Sequence, residues 1–229
     1  MITEIFSSRV PQPHLFSLEE GIEQVELFPE VWGAAEKLII PELHLRWEGL
    51  EGLLELNAPR FSPLILYLLC TRIVEPDIDL RARIIEALGD VTQPDKNGKP
   101  APENVRLILI NYLSRIRTRQ IYAFLQVLVV YPSLEEHVAR LINICSYANN
   151  HLVEIINDRR KPLDIRQQAI RMIGVIGYVE AIPSLDRLSA RLEARMNGQK
   201  AMPFAPPSDN PELDLLVTTR ETLASLRAP

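Results

Sequence analysis

Two stretches of the chain carry one pattern: Asp79-Leu-Arg81-Ala-Arg-Ile84-Ile85-Glu-Ala-Leu88-Gly89-Asp-Val91 and Asp164-Ile-Arg166-Gln-Gln-Ala169-Ile170-Arg-Met-Ile173-Gly174-Val-Ile176. Aligned without a gap, they share an acid, an arginine, an apolar pair, an apolar-glycine step and a closing apolar residue. They lie 85 residues apart. A weaker helical match around Ile121 to Val130 falls near the midpoint, so the period is about 42, in the range of two-helix repeats. Units of this kind bury their apolar faces only by leaning on neighbours. The pattern therefore predicts an all-α chain built as an α-solenoid of about five helix pairs. It does not fix an activity, because the use of such an array depends on its exposed surface.

Helical periodicity runs from about Leu18 to Leu226, uninterrupted by β-branched alternation. Residues 1–17, with Pro11 and Pro13, read as an N-terminal arm, and 18–57 as a degenerate first unit with helices over 31–40 and 42–56 around Pro41. The repeats match best over 60–196. Ser62-Pro63 reads as an N-cap followed by proline at the first helical position, where a missing N–H costs nothing. Ile65, Leu68, Leu69 and Ile73 form the stripe of that helix, and Leu80, Ile84, Ile85, Leu88 and Val91 that of the next. A polar loop over 92–101 leads to helices over 102–116 and 119–131. Ser133 then reads as the cap of a stripe of Val138, Leu141, Ile142, Cys145, Leu152, Ile155 and Ile156. That stripe keeps its phase through Asn149-Asn150, predicting one long or kinked helix over 134–158; a split at Asn149 would make a three-helix, armadillo-like unit instead. After a turn at 158–162 comes a helix over 163–177. The last unit joins 181–196 to a capping helix at 212–226 through a Pro-rich insertion, 197–211, which is long for a connection inside a compact pair.

No segment approaches the ~18 uninterrupted apolar residues of a membrane span. The N-terminus, Met1 to Arg9, lacks a basic region followed by an apolar core, so a soluble, cytoplasmic chain is expected. Cys70 and Cys145 sit in apolar helical runs without Cys-x-x-Cys spacing and read as buried free thiols. His14, His44, His137 and His151 lack metal-ligand spacing, and no glycine-rich phosphate loop is present, so no metal or cofactor is expected. Charge is uneven: residues 1–57 hold eleven acids and three bases, the remainder nineteen acids and twenty-two bases. Asymmetry of this size is common on solvated helices.

Ala181-Ile-Pro183-Ser-Leu185-Asp-Arg-Leu188, the acidic turn Glu75-Pro-Asp-Ile-Asp-Leu-Arg81, and Ala169-Ile170 with Ile173-Gly174 together resemble the HEAT-repeat family, within the HEAT/armadillo-like α-solenoids. The resemblance implies a right-handed α-α superhelix in which turn acids and second-helix arginines form a ladder between repeats. Glu75, Arg81, Asp158 and Arg166 would then be structural, and Gly89 and Gly174 would let neighbouring helices approach closely. Second helices line the concave surface of such arrays, so Arg83, Glu86, Tyr122, Gln126, Gln167, Gln168 and Arg171 would face a partner. Function is left open, since HEAT-like proteins include transport adaptors, phosphatase scaffolds, chromosome-organising subunits, bilin lyases and one group of DNA glycosylases.

The mixture of charges, amides and an aromatic at these positions suits a protein or peptide better than bare phosphate. Arg187, Arg191 and Arg195 recur every four residues and form a candidate stripe for phosphate or an acidic partner. Asp186 and Glu193 adjoin that stripe, and the sequence pI of about 5.5 disfavours nucleic acid. Trp32 and Trp47, the only tryptophans, lie in the acid-rich first unit, where stacking on a base beside phosphates is electrostatically poor. The expected function is a non-enzymatic scaffold that binds a protein or peptide on its concave face. A bilin lyase-type enzyme or chaperone is the alternative, and a nucleic-acid-binding or DNA-glycosylase-like protein a third possibility. The repeat pattern itself makes one prediction: Ile84→Asp or Ile170→Asp puts an unpaired charge into a repeat interface, and either change should abolish the cooperative melt followed by circular dichroism at 222 nm.

Overall fold

The structure is a computed structural model that describes residues 28–200 and 212–228, with side chains over 28–197 and 214–228. The arm at 1–17, residues 18–27 and most of the Pro-rich insertion, 201–211, lie outside the described residues. Among the described residues all regular structure is helical. The α helices are α1 (Pro29–Ile39), α2 (Leu43–Glu55), α3 (Ala58–Phe61), α4 (Pro63–Thr71), α5 (Ile78–Val91), α6 (Glu103–Leu113), α7 (Thr118–Val130), α8 (Glu135–Asn143), α9 (Ala148–Asn157), α10 (Leu163–Ile176), α11 (Ile182–Lys200) and α12 (Glu212–Arg227). The first four residues assigned to the insertion, 197–200, continue α11.

Contacts follow chain order. α1 packs on α2, α4 on α6, and α11 on α12, while α2, α5, α7, α10 and α12 touch in succession as a row. One connected apolar core runs the length of the array, from Val31 to Leu223. The stripe of α5 is buried as its spacing predicts, whereas on α4 the buried set is Ile65, Leu66, Leu69 and Cys70, with Leu68 only half-buried. α4 is covered on more than one flank, by α3, α5 and α6.

The single helix expected over 134–158 is two. A 3-10 turn at Pro132–Leu134 leads into α8, and the chain breaks at 144–147 before α9. α8 packs across α5, α7 and α10, while α9 pairs with α7 and α10. The break also moves the cap: the residue before α8 is Leu134, so Ser133 lies inside the 3-10 turn. The apolar spacing passes through the break because four residues are close to one helical turn of sequence, and the stripe residues are buried on both helices.

Local chemistry fixes the other ends. The Ser62 hydroxyl accepts from the Ile65 N–H at 3.1 Å, and Asp77 does the same for Leu80 at 2.8 Å, each satisfying an amide that its helix leaves unpaired. Gly177 closes α10 with φ +85°, a conformation costly for a side-chain-bearing residue. Arg60 is only 7% exposed. Its guanidinium donates to the carbonyls of Gln93 (3.0 Å) and Lys99 (2.6 Å) and approaches that of Asp90 (3.4 Å), so it caps the C-terminus of α5 and holds the following loop. Both thiols are buried, and desolvation pushes the Cys70 pKa up to about 12.

Close helix approach is set at Gly49 and Gly89. A Cβ at Gly49 would lie 2.5 Å from the Ala34 carbonyl oxygen, and one at Gly89 would lie 2.4 Å from Cδ2 of His137 on α8. Gly174 is looser, with Thr222 Cγ2 at 3.1 Å from the same construction. Gly33, by contrast, has open space around it. Overpacking costs about 1–3 kcal/mol, more than the ~1 kcal/mol gained by alanine over glycine in a helix. Gly89→Ala should therefore lower the melting temperature by several degrees, while Gly33→Ala raises it slightly, both read by thermal denaturation.

Candidate functional site

The row α2, α5, α7, α10 and α12 carries most of the positions expected to face a partner, and the fold uses several of them itself. Arg81 is buried, and its Nε donates to the Glu75 carbonyl at 2.6 Å while Nη1 donates to Gln126 Oε1 at 2.7 Å. Gln126 is thus one end of a rung between α5 and α7. Gln167 is engaged likewise, its Nε2 donating to Thr218 Oγ1 on α12 at 2.9 Å. Tyr122 is half-buried, with the Lys161 ammonium 4.7 Å from its ring centroid in a cation–π contact. Arg83 pairs with Glu51 of α2 at 3.1 Å and with Glu86 at 2.8 Å. The hydrogen bonds that Arg83 donates to the two carboxylates raise its pKa above the ordinary arginine value.

Gln168 is half-buried and Arg171 is exposed. Arg171 opens on a groove of about 470 Å³ between α8, α10 and α12, lined also by Glu135, Val175, Thr218, Glu221 and Thr222. Arg83 instead lines a smaller pocket of about 180 Å³ with Asn57, Pro59, Arg60 and Asp90. The partner positions therefore do not converge on one cavity, and α8 packs across the row between them.

The turn residues divide by role. Glu75 is buried, and its carboxylate lies 3.1 Å from Arg46 Nη2 and 3.6 Å from Arg72 Nη1, while Arg81 takes the backbone oxygen instead. Arg166 is buried and donates to the Ile156 carbonyl at 2.9 Å. Asp158 pairs with Arg160 at 3.0 Å, and that bond holds its carboxyl below the usual range. On α11, Arg187 donates to the Pro183 carbonyl at 3.1 Å, and Arg191 and Arg195 are also engaged.

Two polar clusters joining different helices were not singled out from the sequence. His137 Nε2 lies 3.0 Å from Asp90 Oδ1, pinning α8 to α5 at the close approach over Gly89. Thr118 Oγ1 donates to Glu154 Oε2 at 2.7 Å and lies 2.9 Å from His151 Nδ1. A hydroxyl has one proton; when it goes to Glu154, Nδ1 is the donor to Thr118, and the three side chains tie the start of α7 to α9. No group of histidine, cysteine, aspartate and glutamate among the described residues could hold a metal ion, and no described helix is long and apolar enough to cross a membrane. No protein-family model matches the chain, and no curated protein matches it either.

Proposed function

We propose that the chain is a right-handed HEAT-like α-solenoid of about five helix pairs that serves as a non-enzymatic scaffold, holding a protein or peptide against its second helices. The observation that carries this reading is the row α2, α5, α7, α10 and α12, in which each second helix touches the next. The Arg81–Gln126 rung and the Gln167–Thr218 bond tie members of that row together, so polar chemistry sets the register of the surface on which a partner would lie. The chemistry it offers is shape and polar matching. Exposed Arg171 beside Glu135 and Glu221, half-buried Gln168, and the Arg83–Glu86 pair supply both signs of charge and an amide, a composition that suits a polypeptide surface.

The reading is tested by replacing Arg83, Gln168 and Arg171 together with alanine and comparing capture of protein from the native lysate at two salt concentrations, with nuclease treatment in parallel. The parent chain should retain a stoichiometric protein through nuclease and moderate salt. The triple variant should lose it by at least tenfold, with unchanged helicity and melting. Undiminished capture by the variant would sink the second-helix assignment, and recovery of nucleic acid alone, lost at higher salt, would sink the scaffold reading.

A further inference from the structure

The first helices carry a second surface with a different character. α4 and α6 pack side by side, and between them lies a groove of about 380 Å³ lined by Tyr67, Ile108, Asn111, Tyr112, Arg115 and Ile116. The two tyrosine rings meet edge to face, with centroids 5.9 Å apart and an interplanar angle of 82°. Tyr67 is 52% exposed, and Ile108 and Tyr112 are half-buried. Leu64 lies three residues before Tyr67 and Leu107 four before Asn111, so each is one helical turn from a lining residue, and each is about half exposed. Exposed apolar side chains grouped with aromatics in a concavity mark interaction surfaces more often than isolated ones do.

One end of the groove is basic. Arg115 lines it, and Arg117 and Arg119 follow within four residues; all three are exposed. At Arg46, Arg83, Arg140, Arg160, Arg220 and Arg227, by contrast, the guanidinium pairs with a carboxylate. Among the described residues no carboxylate lies within ion-pair distance of Arg115, Arg117 or Arg119, and the nearby Glu154 is turned onto Thr118. The α4 wall carries the exposed Leu64 and Tyr67, and α4 itself contains no base.

We propose that this groove binds an acidic amphipathic peptide segment of a partner protein. An apolar or aromatic side chain would seat against Tyr67, Tyr112 and Ile108, and carboxylates following it would meet Arg115 and the arginines of the α6–α7 turn. Charge complementarity selects this occupant. A phosphate backbone needs bases along its whole track, whereas here Arg115 is the one base that lines the groove and the remaining walls are apolar, aromatic or neutral polar side chains. Arginine presents a planar fork of donors that matches a carboxylate in two bonds. The surface is distinct from the second-helix face, so the two stand or fall separately.

The test is selection of a random twelve-residue peptide library on the full chain, followed by fluorescence anisotropy with the enriched peptides and with a labelled single-stranded oligonucleotide of equal charge. Enriched peptides should place leucine or an aromatic next to two or more acids. Tyr67→Ala and Arg115→Glu should each weaken them at least tenfold with unaltered melting, while the Arg83, Gln168 and Arg171 triple variant binds them as the parent does. Both tested side chains are solvent-facing, so neither change threatens the core. Enrichment of neutral or basic peptides, no enrichment, equal binding by the two variants, or tighter binding of the oligonucleotide would each overturn the proposal.

Discussion

The buried carboxylate of Glu75 is the point at which three parts of the array are tied together. It is 2% exposed and sits in the turn between α4 and α5, with Arg46 of α2 and Arg72 as its charged neighbours. The backbone oxygen of the same residue accepts from Arg81, whose other arm reaches Gln126 on α7. Through Glu75 and Arg81, α2, the α4–α5 turn, α5 and α7 are thus joined. The Glu75 carboxylate oxygens make ion-pair contacts without aligned hydrogen bonds, so charge rather than directional bonding holds them. Such a cluster adds little net stability over an apolar one, yet losing the carboxylate leaves Arg46 and Arg72 without their shared counter-charge at a mostly buried site. Its value lies in register, because the charges are satisfied only when the units stack in one relative position.

A similar constraint governs α8. It crosses the row of second helices where Gly89 lets it approach, and the His137–Asp90 contact sits beside that approach. Any side chain at Gly89 would lift α8, and lifting α8 would break the contact with Asp90. The two features are therefore one device, made from a missing Cβ and a polar pair. Arg60 works at the other side of α5, where its guanidinium replaces the water that the last carbonyls would otherwise need. Between them, these contacts hold the C-terminal end of α5, and nine of its fourteen residues are buried.

Helix identity was legible because it depends on local signals: Ser62 before Pro63, the acid-rich entry to α5, and stripes at three- and four-residue spacing. The break at 144–147 was not legible, since Ile144 to Tyr147 contains neither proline nor glycine and its length preserves the phase of the stripe. Long-range polar pairing was legible only by kind. The sequence marks Glu75 and Arg81 as a structural acid and base, but whether the arginine takes the carboxylate or the carbonyl depends on Arg46, twenty-nine residues upstream of Glu75 and on another helix. The same holds for Gln126 and Gln167. Each lies on the flank of its stripe, and only the identity of the facing residue, Arg81 or Thr218, decides whether its amide turns inward.

That division bears on where recognition can reside. A polar side chain used as a rung cannot also serve a partner without breaking the array, because its release leaves a desolvated group unpaired at about 1–3 kcal/mol. Gln126, Gln167, Arg81 and Arg166 are committed in this way, whereas Arg171, Arg115, Arg117 and Arg119 are exposed to solvent. The excess of arginine over lysine, twenty to five, therefore reflects two separate demands. Buried arginines exploit several donors at once to satisfy carbonyls and carboxylates that a single ammonium could not span. Of the exposed ones, Arg160, Arg220 and Arg227 pair with carboxylates, whereas Arg106, Arg115, Arg117, Arg119, Arg159 and Arg171 have no carboxylate within ion-pair distance among the described residues and give an otherwise acidic protein its local positive sites.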